Sequence, residues 1–74
     1  MTNLLRKVNK FGSVSYRNKK GQLHRDDGPA VIFPDGSEEW YKNGKWHRDN
    51  GPALIRPDGR KEWWENDQFI KKDS

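Results

Sequence analysis

The chain has 74 residues and no cysteine; 35% of its side chains are charged, 30% are hydrophobic, and its net charge is +4. That length permits one small domain, and the missing cysteines exclude a disulfide framework, a thiolate metal site and a cysteine nucleophile. No apolar run approaches the ~20 residues of a bilayer span, and Leu4-Leu5 is too short for a signal-peptide core, so a soluble cytoplasmic protein is expected.

Leu, Ile, Val and Phe supply 13 of the 74 residues, under the share of roughly 20% below which chains resemble disordered ones. Four Trp, two Tyr and three Phe argue for a fold, because disordered chains are poor in aromatics.

Charge divides along the chain. Residues 1–25 carry seven basic side chains and no acidic one, or +7, whereas residues 26–74 carry 8 basic and 11 acidic, or −3. Residues 1–11 form a basic N-terminal segment, in which Leu4 to Val8 reads either as a helical turn or as a first strand. Residues 12–74 form a repeat domain. Residues 21–43 and 44–66 are identical at 14 of 23 positions, with partial copies at 12–20 and 67–74. Such a period marks an array of stacked units.

Turn signals divide each unit into hairpins. The first, Asn18-Lys19-Lys20-Gly21, leaves its register open. Pro34-Asp35-Gly36 joins residues 30–33 to 37–42, and Pro57-Asp58-Gly59 joins 53–56 to 60–65, with Pro presetting φ and Gly supplying a positive φ. Asn43-Gly44 predicts a two-residue turn that sets Lys42 opposite Lys45, Tyr41 opposite Trp46 and Trp40 opposite His47. Asn66-Asp67 predicts a weaker copy, with Trp64 opposite Phe69 and Trp63 opposite Ile70. The expected fold is all-β, a single-layer antiparallel meander of consecutive hairpins with six to eight short strands and no helix.

The run Trp-Tyr-Lys-Asn-Gly-Lys-x-His at 40–47, with Gly-Pro-Ala and Pro-Asp-Gly, resembles the MORN repeat, a hairpin unit of about 23 residues. It is most similar to variants carrying His-Arg-x-x-Gly-Pro-Ala, and the likeness spans residues 12 to about 70. The resemblance implies an elongated twisted sheet and scaffolding or partner binding rather than catalysis. It also implies a small phage- or virus-encoded protein that works in a host cytoplasm.

His24-Arg25-Asp26 and His47-Arg48-Asp49 place His beside Asp, the elements of acid–base catalysis. Their recurrence in both copies favours a role in the unit's own frame, with His bonded to backbone and Arg held against a neighbouring strand. Neither zinc nor calcium ligand spacing is present, no phosphate-binding loop occurs, and no metal or cofactor is expected. Neither an amphipathic helix nor a lipidation signal points to a membrane partner.

Binding is the expected use of what remains. The N-terminal cations Arg6, Lys7, Lys10, Arg17, Lys19 and Lys20 are one group of candidate contacts. The aromatics Tyr41, Trp46 and Trp64 are a second, and Arg56, Arg60 and Lys61, all absent from the preceding copy, are a third. Adjacent strand residues face opposite ways, so neither Trp40 with Tyr41 nor Trp63 with Trp64 shares a face. Exposed aromatics among cations fit a host-protein interface, of the kind a defence or toxin inhibitor would use. They also fit RNA or single-stranded nucleic acid. Unpaired sheet edges predict a homo-oligomer.

Overall fold

The computed structural model describes residues 4–73. It is all-β, with β1 (Leu5–Val8), β2 (Val14–Arg17), β3 (Val31–Ile32), β4 (Glu38–Glu39), β5 (Tyr41–Lys42), β6 (Lys45–Trp46), β7 (Leu54–Ile55), β8 (Lys61–Glu65) and β9 (Gln68–Asp73). Seven strands form one sheet in the order β1-β2-β3-β4-β7-β8-β9, and β5 pairs with β6 apart from it. Every neighbouring pair is antiparallel. The single-layer meander is therefore present, and no helix of the described residues is long and apolar enough to cross a membrane.

Among the described residues nine strands appear where six to eight were expected, because the chain changes partner at Trp40. β4 pairs with β7 on one side of this residue, and β5 pairs with β6 on the other. In the next copy the same passage stays one strand, β8, with a bulge between Trp63 and Trp64.

Two turn chemistries set the registers. At the first Pro-Asp-Gly, Gly36 N–H donates to Phe33 O at 3.0 Å and Phe33 N–H donates to Ser37 O at 3.0 Å. Asp35 Oδ1 accepts from Ser37 N–H at 2.9 Å and Ser37 Oγ–H at 2.6 Å. Gly36 closes the loop at φ +91°, where a side chain would be strained. The loop Arg56–Arg60 repeats the backbone bonds.

Asn9–Ser13 and Asn18–Gln22 make the same loop without Pro. In each, the Asn side chain accepts from two backbone N–H groups inside the loop. The open register at 18–21 resolves as this three-residue loop, and Leu23 bridges back to Arg17. The alternatives at Leu4 to Val8 resolve as strand β1, paired to β2 through Leu5↔Arg17 and Val8↔Val14.

The Asn43-Gly44 turn has Tyr41 opposite Trp46 and Lys42 opposite Lys45, as its sequence predicts. Asn66-Asp67 turns likewise and sets Trp64 opposite Phe69. The pairing expected for Trp63 is corrected. Trp63 lies opposite Lys71, because Ile70 is bulged out of β9 between the two registers.

The buried apolar residues are Ala30, Val31, Ala53 and Leu54. They lie where each Gly-Pro-Ala segment runs into its strand, Ala30 before Val31 of β3 and Ala53 before Leu54 of β7.

A candidate binding surface built from a row of aromatic rings

Residues paired across antiparallel strands share a face. Lys7, Ser15, Val31, Glu39, Leu54 and Glu62 therefore lie on one side, joined by Tyr41, which bonds Glu39 from the next strand, and by Trp64, which bonds Glu62 two residues back. Tyr16, Trp40 and Trp63 lie on the other.

That second set is covered by the chain's own cations. The Arg25 guanidinium carbon sits 4.1 Å from the Tyr16 ring centre. Arg48 sits 3.7 Å from Trp40, and the Lys71 ammonium 4.7 Å from Trp63. Arg25 donates to Pro29 O at 3.2 Å, and Arg48 to Pro52 O at 3.1 Å. A Cβ on Gly28 or Gly51 would lie 2.7 Å from the guanidinium carbon, so glycine is what lets the arginine lie flat there. The Trp40 indole N–H is buried without a partner among the described residues. Packing, not hydrogen bonding, places that ring.

The histidines serve the same frame. His24 Nδ1 accepts from Asn43 N–H at 2.9 Å, and His47 Nδ1 accepts from Asn66 N–H at 3.2 Å. Each His thus caps the hairpin turn at the end of its own unit. An accepting Nδ1 leaves the proton on Nε2, which faces Asp26 at 3.3 Å in one copy and Asp49 at 2.6 Å in the other. Among the described residues no group of three potential ligands is placed to hold a metal.

The first face carries a different arrangement. Tyr41, Trp46, Trp64 and Phe69 form a continuous row with centroid separations of 4.7, 5.8 and 5.5 Å. Three of the rings are half-buried, and Phe69 is 51% exposed. Carboxylates hold the polar edges of two rings. Tyr41 O–H donates to Glu39 Oε1 at 3.0 Å, and Trp64 Nε1–H to Glu62 Oε1 at 3.0 Å. Burial and the Glu39 charge push the Tyr41 hydroxyl well above its ordinary pKa. The Trp64 bond, aided by Arg56, holds Glu62 below the usual carboxylate range. On the same face an open groove of about 540 Å³, lined by residues that include Lys7, Arg17, Leu23, Val31, Phe33 and Glu39, meets the row at Glu39.

The cations named from sequence do not gather into one patch. Arg6 and Lys7 point to opposite faces of β1, and Lys10 lies over Phe11 at 5.1 Å. Arg17 donates to Gly21 O at 2.8 Å, while Lys19 and Lys20 are exposed on the adjoining loop. Arg56 reaches the aromatic row through Glu62 at 3.2 Å. Arg60 turns to Asp58 at 3.2 Å, and Lys61 lies opposite Asp73 on the far face.

Sequence reasoning missed Phe69, Glu39 and Glu62 as parts of this surface. The 23-residue offset that carries Trp46 onto Phe69 and Glu39 onto Glu62 was the available signal. No protein-family model, curated protein or solved structure matches the chain.

Proposed function

We propose that this is a non-enzymatic binding protein that occludes or sequesters a protein partner through the row Tyr41, Trp46, Trp64 and Phe69. The observation that carries this reading is the mutual packing of the four rings. Rings already in contact at 4.7 to 5.8 Å make a rigid apolar ridge, the form in which aromatic anchors contribute most at protein interfaces. The resemblance to MORN repeats supports the same class and adds a phage- or virus-encoded protein acting on a host protein in the cytoplasm. Self-association through the open sheet edges is part of the same proposal.

Nucleic acid is the second reading. Among the described residues Arg6, Lys7, Lys10, Arg17, Lys19 and Lys20 make no ion pair with a carboxylate, which leaves their charge available to phosphates.

A pull-down from bacterial lysate followed by nuclease treatment tests both. The expected result is a stoichiometric protein that survives nuclease and is lost with Phe69→Ala, a substitution at a half-exposed ring that leaves the fold intact. Recovery of nuclease-sensitive material alone would favour nucleic acid, and recovery of nothing would remove both.

A further inference from the structure

The hairpin tips beside the aromatic row differ in charge. The first tip carries Lys19 and Lys20 and the second Lys42 and Lys45, whereas the 23-residue offset turns Lys42 into Glu65 and Lys45 into Gln68 at the third. The fold sets the first two tips side by side. Gly44 N–H donates to Leu23 O at 2.8 Å, and Asn18 Nδ2–H donates to Asn43 Oδ1 at 3.4 Å. All four lysines are exposed, and among the described residues none makes an ion pair. Lys42 and Lys45 even oppose each other directly in the β5–β6 register, where like charges are unfavourable.

We propose that the first two tips form a basic edge that docks an acidic segment of a protein partner. This rests on the protein-binding reading above and names the chemistry of that partner. Two observations favour an acidic polypeptide over a nucleic-acid strand. The neighbouring rings are packed on one another at 4.7 to 5.8 Å, so they are not splayed as separate platforms between which successive bases insert. The tip row also reverses sign at Glu65 and Asp67, which repels a uniformly charged backbone running its length. A protein surface matches a row of mixed sign, and complementary patches of this kind set register and association rate.

The test is fluorescence anisotropy with a labelled oligoglutamate and a labelled oligouridylate of equal length, at about 50 and about 300 mM salt. Oligoglutamate binds at the lower salt, and its affinity falls roughly fivefold with Lys42→Gln/Lys45→Gln and similarly with Lys19→Gln/Lys20→Gln. Lys7→Gln/Lys10→Gln, which removes equal charge elsewhere, changes it by less than about twofold. The first variant relieves a like-charge pair, so it folds, and its near-ultraviolet tryptophan signal checks this.

The proposal is overturned if oligoglutamate does not bind, if Lys42→Gln/Lys45→Gln binds it as the unaltered protein does, or if oligouridylate binds more tightly. A partner captured by pull-down and lost with Phe69→Ala, but indifferent to all four lysines, would remove the basic edge and leave the aromatic interface standing.

Discussion

Trp40 and Tyr41 are neighbours in the chain, as are Trp63 and Trp64, yet each pair is divided between two different environments. Trp40 and Trp63 lie under cations supplied by their own chain, Arg48 at 3.7 Å and Lys71 at 4.7 Å. Tyr41 and Trp64 lie instead in a row of rings, with carboxylates tethering their polar edges. The contrast shows how a sheet one layer thick supplies a core and a binding surface from consecutive residues. Strand alternation separates them, and the arginine loops finish the covered face.

The covered face should break most severely. Trp40→Ala removes the ring beneath Arg48 and is expected to cost about 3 kcal/mol, which is enough to unfold much of a domain this small. Thermal denaturation followed by circular dichroism measures it, and an unchanged midpoint would make the covered ring dispensable. Gly51→Ala is subtler. Its Cβ would stand 2.7 Å from the Arg48 guanidinium carbon, so the guanidinium must leave the ring at a cost of about 1 kcal/mol. Arg48→Ala should make the glycine substitution harmless, a double-mutant cycle that isolates the stacked pair.

The smallest effect belongs to the ring row. Glu62 holds its proton less tightly in the folded chain than in the unfolded one, through its bonds to Trp64 and Arg56. Its contribution to stability is therefore complete above the ordinary carboxylate range and is lost as the pH falls through the lowered folded value. Glu62→Gln should flatten the acid limb of the stability–pH curve by lowering neutral stability toward its acid value, while stability at low pH stays nearly unchanged. An acid limb as steep as before would show that the tether does not reach the folding equilibrium.

Much of this architecture was legible in the sequence because the turns are written in residues with narrow backbone preferences. Asn43-Gly44 fixed Tyr41 against Trp46, and the period fixed where that hairpin recurs. The Trp63 partner was misread because a bulge leaves no mark in turn chemistry. The offset did contain it, since Arg25, Arg48 and Lys71 fall 23 residues apart. The basic edge was hidden for another reason. A tally along the chain assigns Lys42 and Lys45 to the acidic part, and only the stacking of tips brings them to Lys19 and Lys20. Linear charge counts do not see neighbours across a sheet.

The histidine caps give the molecule a direction. His24 secures the turn at Asn43 and His47 the turn at Asn66, each 19 residues downstream. The Asn18 loop bonds its own amides through its own side chain. Ile70 occupies the position that the offset assigns to the next histidine and offers a following turn no acceptor. Information about where a hairpin belongs thus passes one way along the chain, from each histidine to the turn 19 residues on. A further copy of residues 44–66 spliced between the existing two would inherit a cap and provide one. The same copy placed after Ile70 would bring its own His47–Asn66 pair but find no acceptor for a turn at its start.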